Sequence, residues 1–201
     1  MPPAFHGRFQ RPDDMMHDSA HITLVIGGCR SGKSRHAQQL AEEAAPRRIY
    51  VATCVPRDPE MHDRVRRHRN ARDDSWQTLE SPLDLTGVIR EQARPGVSLL
   101  VDCLTLWVTN LLLEAGEPDA GRVETAARDL VAGLGAAKGP VFLVSNEVGQ
   151  GIVPGNALAR SFRDCAGLIN QEVAAAAGRV VWMVAGIPVV VKPSGGRGET
   201  P

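Results

Sequence analysis

The sequence predicts a single α/β domain, in which helices cover both faces of a mainly parallel, doubly wound sheet. Short runs of almost entirely apolar residues recur along the chain at the length of a strand. Segments with helical patterning separate these runs, so strands and helices alternate. The length of 201 residues corresponds to one compact domain, or two at most. Runs that are apolar on both faces are typical of parallel strands buried between two helical layers.

Six apolar runs are predicted to form strands, the last of them a closing edge strand. They are Ile22–Gly27, Ile49–Thr53, Ser98–Asp102, Val141–Asn146, Val180–Ala185 and, at the edge, Ile187–Lys192. Six other segments are predicted to form helices: Lys33–Ala45, Pro59–Arg72, Pro82–Arg94, Leu104–Ala115, Arg122–Ala137 and Ala157–Ala177. Ser81 before Pro82, and Asn156 before the last long helix, are expected N-caps. Gly178 stands where a C-terminal glycine would end that last helix.

Composition excludes several classes of protein. The 23 basic and 23 acidic residues cancel, which argues against a nucleic-acid or acidic-membrane binder. Aromatic residues make up only 4% of the chain, so a base-stacking surface is not expected. No stretch approaches the ~18 consecutive apolar residues of a membrane span. The four scattered cysteines are expected to be reduced thiols in a cytoplasmic protein.

The two ends of the chain differ from its middle. Residues 1–20 and 194–201 are rich in proline, glycine and charge without periodicity, so both are expected to be mobile. Residues 1–20 also lack the apolar core of a signal peptide. The folded domain is therefore expected to span residues 21–193.

A glycine-rich phosphate loop is predicted at Gly27–Ser34, between the first strand and the first helix. The segment reads Gly-Gly-Cys-Arg-Ser-Gly-Lys-Ser and fits the pattern GxxxxGK[ST]. Its backbone N–H groups would cradle phosphate oxygens at the start of a helix, with Lys33 reaching the β- and γ-phosphates and Ser34 reaching Mg²⁺. The alternative is a merely glycine-rich turn. The chain has twenty arginines and three lysines, so a lysine at this position favours the phosphate loop.

A P-loop protein also needs a carboxylate at the end of a neighbouring strand to orient Mg²⁺. Asp102 closes the apolar run that precedes it and is predicted to have this role. The alternative role, as N-cap of the helix starting at Leu104, is compatible with it.

A histidine among arginines marks a second candidate group. His68 lies on one stripe of a predicted helix with Met61, Val65 and Arg72. A neutral imidazole is a competent nucleophile at cellular pH, and neighbouring arginines would bind a triphosphate, stabilise charge on phosphorus and lower the imidazole pKa. The alternative is a solvated basic helix in which the histidine is incidental.

Further motifs follow the phosphate loop in a characteristic order. They are Ala52-Thr53, Asp58–Met61, Arg64-Val65, His68, Arg72, Trp76–Glu80, Asp102–Thr105, Thr109–Leu112, Asn146–Pro154, Arg160, Phe162–Asp164, Gly167 and Asn170-Gln171. From Ile22 to about Lys192 the chain resembles the bifunctional adenosylcobinamide kinase / adenosylcobinamide-phosphate guanylyltransferase family of cobalamin biosynthesis. It departs from the family at Cys29, where alanine is common, at Asp102, where some relatives have glutamate, and in its leader.

The resemblance implies a two-step enzyme with a RecA-like P-loop domain. In the first step a nucleoside triphosphate, ATP or GTP, phosphorylates the aminopropanol hydroxyl of adenosylcobinamide. In the second step GTP guanylylates a histidine, matched here by His68, and the GMP passes to adenosylcobinamide phosphate. The resemblance also implies a homotrimer. The expected nucleotide-binding residues are Gly27, Gly28, Cys29, Arg30, Ser31, Gly32, Lys33, Ser34, Ala52, Thr53, Cys54, Arg69, Asn70, Ala71, Arg72, Glu80 and Asp102.

Two other functions are compatible with a P-loop and stay open at this point. A kinase with a single activity would transfer the γ-phosphoryl group but would never retain label from the α-phosphate. A nucleic-acid motor would need a larger basic stripe, and the zero net charge argues against it. The segment Asn146–Pro154 follows a predicted strand at the ligand edge, where it either shapes a cobinamide or metal site or forms only a structural turn.

Overall fold

A computed structural model describes residues 19–55, 73–114, 116 and 118–194. Within these residues the strands form one seven-stranded sheet of order β3-β2-β4-β5-β1-β6-β7. Neighbouring described strands are parallel except β6 and β7, which are antiparallel, so the predicted mainly parallel sheet is confirmed. The strands are β1 Ile22–Gly27, β2 Arg47–Ala52, β3 Trp76–Glu80, β4 Val97–Asp102, β5 Val141–Asn146, β6 Arg179–Val184 and β7 Ile187–Lys192.

The described part of the chain also contains five α-helices, which lie on both faces of the sheet. They are α1 Lys33–Ala44, α2 Leu85–Gln92, α3 Leu104–Leu113, α4 Ala120–Gly135 and α5 Ala157–Ala176, preceded by a 3₁₀ turn at Ser19–His21. Ala37 and Ala41 of α1 belong to the apolar core on one face. Helices α2 to α5 contribute to the larger core on the opposite face. Strand residues buried on both faces explain the continuous apolar runs in the sequence.

The structure corrects the prediction at β3 and at the start of α2. Trp76–Glu80 was not predicted as a strand, because its sequence is mostly polar and only Trp76 is buried. Helix α2 begins at Leu85 rather than Pro82, so the prediction of Ser81 as its N-cap is wrong. The N-cap is Asp84, whose Oδ1 accepts from the N–H of Gly87 at 2.7 Å. The hydroxyl of Ser81 instead donates to the carbonyl of Asp84 at 2.8 Å.

Two further predictions concern the N-cap of the last helix and the helix that contains His68. The predicted N-cap Asn156 is confirmed, since its Oδ1 accepts from the N–H of Ala159 at 3.2 Å. The predicted helix over Pro59–Arg72 lies outside the described residues. In the part of the chain that the structure describes, no helix has the length and apolar character needed to cross a bilayer.

Strand β7 is the predicted edge strand, and a lysine fixes it to the last helix. The Lys192 ammonium donates to the carbonyls of Ala174 and Ala175 at 3.1 and 3.0 Å. These carbonyls belong to the last turn of α5, where backbone acceptors lack helical partners and a cation is favoured. Burial lowers the pKa of Lys192. One of the three lysines of the chain therefore caps a helix.

Candidate active site

The strand register brings the carboxyl ends of the six parallel strands described, β1 to β6, to one edge of the sheet. Gly27 at the end of β1 pairs with Asn146 at the end of β5. Ala52 at the end of β2 pairs with Glu80 on one side and with Asp102 on the other. Ligands of doubly wound sheets bind beyond the carboxyl ends of the strands. The residues predicted for the nucleotide in this part of the chain therefore lie along the expected edge.

The phosphate loop turns tightly at two glycines. A Cβ on Gly27 would lie 2.6 Å from Oγ of Ser31 and 2.7 Å from the carbonyl oxygen of Met183. Gly32, the N-cap of α1, has φ of 91°, a left-handed conformation that glycine adopts without strain. The N–H of Gly186, in the turn between β6 and β7, donates to the carbonyl of Ser31 at 3.1 Å. The loop is thus held both by its own glycines and by the β6–β7 turn.

Two side chains of the loop are placed to bind an anion. The ammonium of Lys33 donates to the carbonyl of Gly28 at 3.1 Å, so the lysine folds back across its own loop. Oγ of Ser31 is buried and has no hydrogen-bond partner among the described residues. A buried polar atom normally has a partner, and a phosphate oxygen would supply one. The loop also precedes the N-terminus of α1, which favours negative charge.

Asp102 is held from the side by Tyr50. The phenol of Tyr50 donates to Oδ2 of Asp102 at 3.2 Å. The N-cap of α3 is Cys103, so Asp102 is not the N-cap that the sequence left as an alternative. Burial, followed by the negative charge of Asp102, raises the pKa of the Cys103 thiol, whereas Lys33 acts in the opposite direction. Asp102 therefore ends β4 directly before the N-cap of α3.

A buried threonine joins the ends of β2 and β4. Oγ1 of Thr53 accepts from the N–H of Cys103 and donates to its carbonyl, both at 2.8 Å. The side-chain amide of Asn110 donates to the carbonyls of Thr53 and Pro82 at 2.8 and 3.0 Å. Because these bonds satisfy buried backbone groups, they fix the segment Ala52–Cys54 next to Asp102. The structure thus adds Tyr50 and Asn110 as supporting residues, to which the sequence analysis gave no role.

Of the remaining predicted site residues, Glu80 lies within the described residues and the other five do not. Glu80 is exposed at the end of β3, one strand beyond β2. His68 and the predicted nucleotide-binding residues Arg69, Asn70, Ala71 and Arg72 lie outside the described residues. The structure therefore brings together the phosphate loop, Ala52–Cys54, Glu80 and Asp102 along one edge.

The connection after β5 is fastened to the last helix by two arginines. Arg160 donates to the carbonyls of Pro154 and Gly155 at 3.0 and 2.6 Å, and Arg163 donates to the carbonyl of Gly149. Ile152 in this connection is 96% exposed. The connection thus leaves the ligand edge in a conformation fixed by α5, with apolar side chains turned outward.

A glycine-rich loop between the first strand and the first helix, beside a carboxylate that ends a neighbouring parallel strand, defines the class of P-loop α/β proteins. A solved structure of a protein from Pyrococcus horikoshii OT3 has the same fold, with a TM-score of 0.52 over 87% of each chain at 9% identity. That identity supports the fold alone.

The particular family follows from sequence comparison. Residues 23–191 match the CobU family, described as cobinamide kinase / cobinamide phosphate guanyltransferase. The bifunctional adenosylcobalamin biosynthesis protein CobP of Pseudomonas aeruginosa is 45% identical over 169 residues, which cover 84% of this chain and 96% of the relative. The corresponding CobU proteins of Salmonella typhimurium and Escherichia coli are 43% and 41% identical, each over 85% of this chain and 99% of the relative. The chain therefore belongs to the cobinamide kinase / cobinamide phosphate guanyltransferase family, and the family predicted from the sequence motifs is confirmed.

Proposed function

We propose that the chain phosphorylates adenosylcobinamide with ATP or GTP, and then transfers GMP from GTP to adenosylcobinamide phosphate through a guanylylated His68. The product of the second step is adenosyl-GDP-cobinamide. Family membership over residues 23–191 supports both activities. The observation that carries the proposal is the placement of a complete phosphate loop beside Asp102 at one edge of the sheet.

In the first step the substrate supplies the nucleophile. The aminopropanol hydroxyl oxygen attacks the γ-phosphorus, the bond from that phosphorus to the bridging oxygen breaks, and a nucleoside diphosphate leaves. The hydroxyl proton is released to solvent. Lys33 exchanges its bond to the carbonyl of Gly28 for the β- and γ-phosphate oxygens, whose growing charge it stabilises.

Ser34 and Asp102 would hold Mg²⁺ together with the triphosphate. One carboxylate and one hydroxyl suit Mg²⁺, which is commonly held by one or two carboxylates, substrate phosphates and water. When bound, the ion neutralises charge on the phosphates. The hydrogen bond from Tyr50 would fix the Asp102 carboxylate in one orientation.

In the second step the protein supplies the nucleophile. A ring nitrogen of neutral His68 attacks the α-phosphorus of GTP, and pyrophosphate leaves. A phosphate oxygen of adenosylcobinamide phosphate then attacks the same phosphorus, and the P–N bond to His68 breaks. Arg69 and Arg72 would bind the phosphates during both attacks. This assignment is supported by the sequence pattern around His68 and by the family match.

Two labels on the nucleotide test the proposal. Protein incubated with α-labelled GTP and then denatured is expected to retain label that is acid-labile and alkali-stable, as expected for a P–N bond. Incubation with γ-labelled ATP or GTP and adenosylcobinamide is expected to yield phosphorylated cobinamide. Label from the γ position alone would instead indicate a kinase with a single activity. Stimulation of hydrolysis by polynucleotides would indicate a nucleic-acid motor.

We also propose a homotrimer in the cytoplasm. Strand β7 and the end of β6 form an exposed apolar surface, defined by Trp182, Val184, Ile187 and Val189. The pairing of Trp182 with Val189 and of Val184 with Ile187 puts all four on one face of the sheet. An apolar face of this kind is typical of an interface. All four cysteines are free thiols, which is common in reducing compartments.

Light scattering tests the assembly, with an expected mass of about three times 21.6 kDa. Val189→Lys is expected to yield smaller species, because it places a charge in the apolar surface. Ala132→Lys on the exposed side of α4 is the control and should leave the mass unchanged. A monomeric native protein would refute the trimer.

A further inference from the structure

Strand β5 lies between the two strands that carry the phosphate loop and Asp102. The sheet order places β5 directly between β1 and β4. A nucleotide triphosphate that is held by the loop after β1, with its Mg²⁺ oriented by the carboxylate after β4, must lie over the end of β5. The last residue of β5 is Asn146, which pairs with Gly27 in the register. Asn146 is half-buried, so it is partly accessible from this edge of the sheet.

The side chain of Asn146 has a fixed orientation. Its Nδ2 donates to Oγ1 of Thr105 in α3 at 3.1 Å. Thr105 is itself buried, and its Oγ1 lies 3.0 Å from Sγ of Cys103. An amide nitrogen carries two N–H donors, and the bond to Thr105 uses one of them. The carboxamide is thus oriented by a buried neighbour while retaining a second donor and an acceptor oxygen.

The backbone at Asn146 is held as firmly as its side chain. The carbonyl of Asn146 accepts from Nδ2 of Asn170 in α5 at 3.2 Å. The N–H of the next residue, Glu147, donates to the carbonyl of Gly27 at 3.0 Å. Asn146 therefore cannot shift without moving the start of the phosphate loop, which is the property required of a group that positions a reacting phosphate.

We propose that Asn146 contacts the phosphoryl group during its transfer to the acceptor hydroxyl, and that Thr105 positions the Asn146 carboxamide. This inference rests on the proposed kinase step. A carboxamide can donate to a phosphoryl oxygen or accept from the attacking hydroxyl without adding charge. A carboxylate at the same place would repel the phosphates, and Asp102 already contributes one negative charge nearby. Asn146 takes up no proton and forms no bond in the reaction.

The test compares substitutions at Asn146 with a matched control on the same connection. Asn146→Ala is expected to lower kcat of the kinase step about 100-fold, the usual effect of losing one preorganised donor, with nucleotide KM changed less than about threefold. Asn146→Asp should lower kcat at least as much and also weaken nucleotide binding, because it adds a negative charge. Asn156→Asp makes the same chemical change ten residues away and should leave both constants unchanged, because aspartate caps a helix as well as asparagine does.

The positioning role of Thr105 is tested by one variant that removes its hydroxyl and one that keeps it. Thr105→Val should lower kcat about tenfold, and Thr105→Ser should restore it, because serine keeps the oxygen that orients Asn146. A purely structural role would instead lower the melting temperature of both Asn146 variants and leave kcat intact in the folded protein. That result would overturn the proposal. If Asn146→Ala does not fold, the isosteric Asn146→Asp decides the matter by the same readouts.

The failure of this inference can be distinguished from failure of the proposed function. If the native enzyme phosphorylates adenosylcobinamide and Asn146→Ala does so at the native rate, only the role of Asn146 is refuted. If the native enzyme forms no phosphorylated cobinamide, the kinase step is refuted and this inference with it. Protein-bound label from α-labelled GTP is a parallel readout, which we expect Asn146→Ala to retain because that attack occurs at a different phosphorus.

Discussion

The tight contact at Gly27 predicts a large difference between two adjacent glycines of the phosphate loop. In Gly27→Ala the new methyl would lie 2.6 Å from Oγ of Ser31, 2.7 Å from the carbonyl oxygen of Met183 and 3.1 Å from Cβ of Met183. In Gly28→Ala no atom of the described residues lies within 4 Å of the new methyl. The two substitutions add the same group to the same loop, so their comparison isolates the steric contact.

The magnitude follows from the kind of atoms that would be displaced. Overpacking a buried site costs about 1–3 kcal/mol, and a backbone carbonyl that pairs in a central sheet can yield little. We therefore expect Gly27→Ala to lower the free energy of unfolding by about 2–3 kcal/mol, which corresponds to roughly 5–10 °C in melting temperature for a domain of this size. Gly28→Ala should leave the free energy of unfolding unchanged or raise it by up to about 1 kcal/mol, because alanine gives the unfolded chain less conformational entropy than glycine does.

Chemical denaturation without nucleotide is the appropriate assay, since a bound nucleotide would add its own stabilisation. The double variant Gly27→Ala/Ser31→Ala removes one of the two contacts shorter than 3.0 Å, and should recover about 1 kcal/mol of the loss. Equal stability of Gly27→Ala and Gly28→Ala would refute the steric reasoning. A double variant no more stable than Gly27→Ala would assign the whole cost to the carbonyl of Met183.

Three further predictions concern charge and protonation. Lys33→Ala should reduce the rates of both reactions at least about 100-fold in assays with labelled nucleotide. Lys33→Arg should restore little activity, because a planar guanidinium does not replace a compact ammonium. Full activity of Lys33→Arg would contradict this. His68→Ala should abolish protein-bound label from α-labelled GTP while phosphorylation of adenosylcobinamide continues, and undiminished labelling would place the nucleophile elsewhere. Burial, followed by the charge of Arg179, lowers the pKa of His36 in the folded protein. The contribution of neutral His36 to the free energy of unfolding should therefore be fully present above the ordinary histidine pKa of about 6.5, and should be lost as the pH drops through the lowered pKa. His36→Gln should flatten that part of the profile of stability against pH. An unchanged profile would refute the assignment.

The fold was predictable wherever burial on both faces leaves a continuous apolar run. β1 at Ile22–Gly27 and β5 at Val141–Asn146 lie in the middle of the sheet, and their predicted bounds agree with the structure. β3 lies at the edge and pairs only with β2 among the described strands, so its sequence has little need of apolar residues. The absence of an apolar run at Trp76–Glu80 therefore left no signal for a strand.

The candidate site residues at sequence motifs and strand ends could be identified from the sequence, but the hydrogen bonds that orient them could not. The phosphate loop is one run of eight residues, so its pattern is visible without a fold. By contrast, the hydrogen bond from Tyr50 to Asp102 joins residues 52 positions apart, and the bond from Asn146 to Thr105 joins residues 41 positions apart. No periodicity links such pairs. They become neighbours only because β2, β4 and β5 end at the same edge.

The described strands also explain how one edge can serve two reactions. β2 and β3 are parallel, so the chain between them departs from the carboxyl edge, at Ala52, beside Asp102. Thr53 fixes this point of departure through its paired bonds to Cys103, and Asn110 holds its carbonyl. His68 follows Val55 by thirteen residues, a stretch that can span at most about 45 Å when fully extended. The segment that carries the proposed nucleophile is therefore anchored one strand away from the carboxylate proposed to orient the metal. Under the proposed function, a GTP bound at this edge would be attacked at the γ-phosphorus by a substrate hydroxyl in the first step, or at the α-phosphorus by His68 in the second.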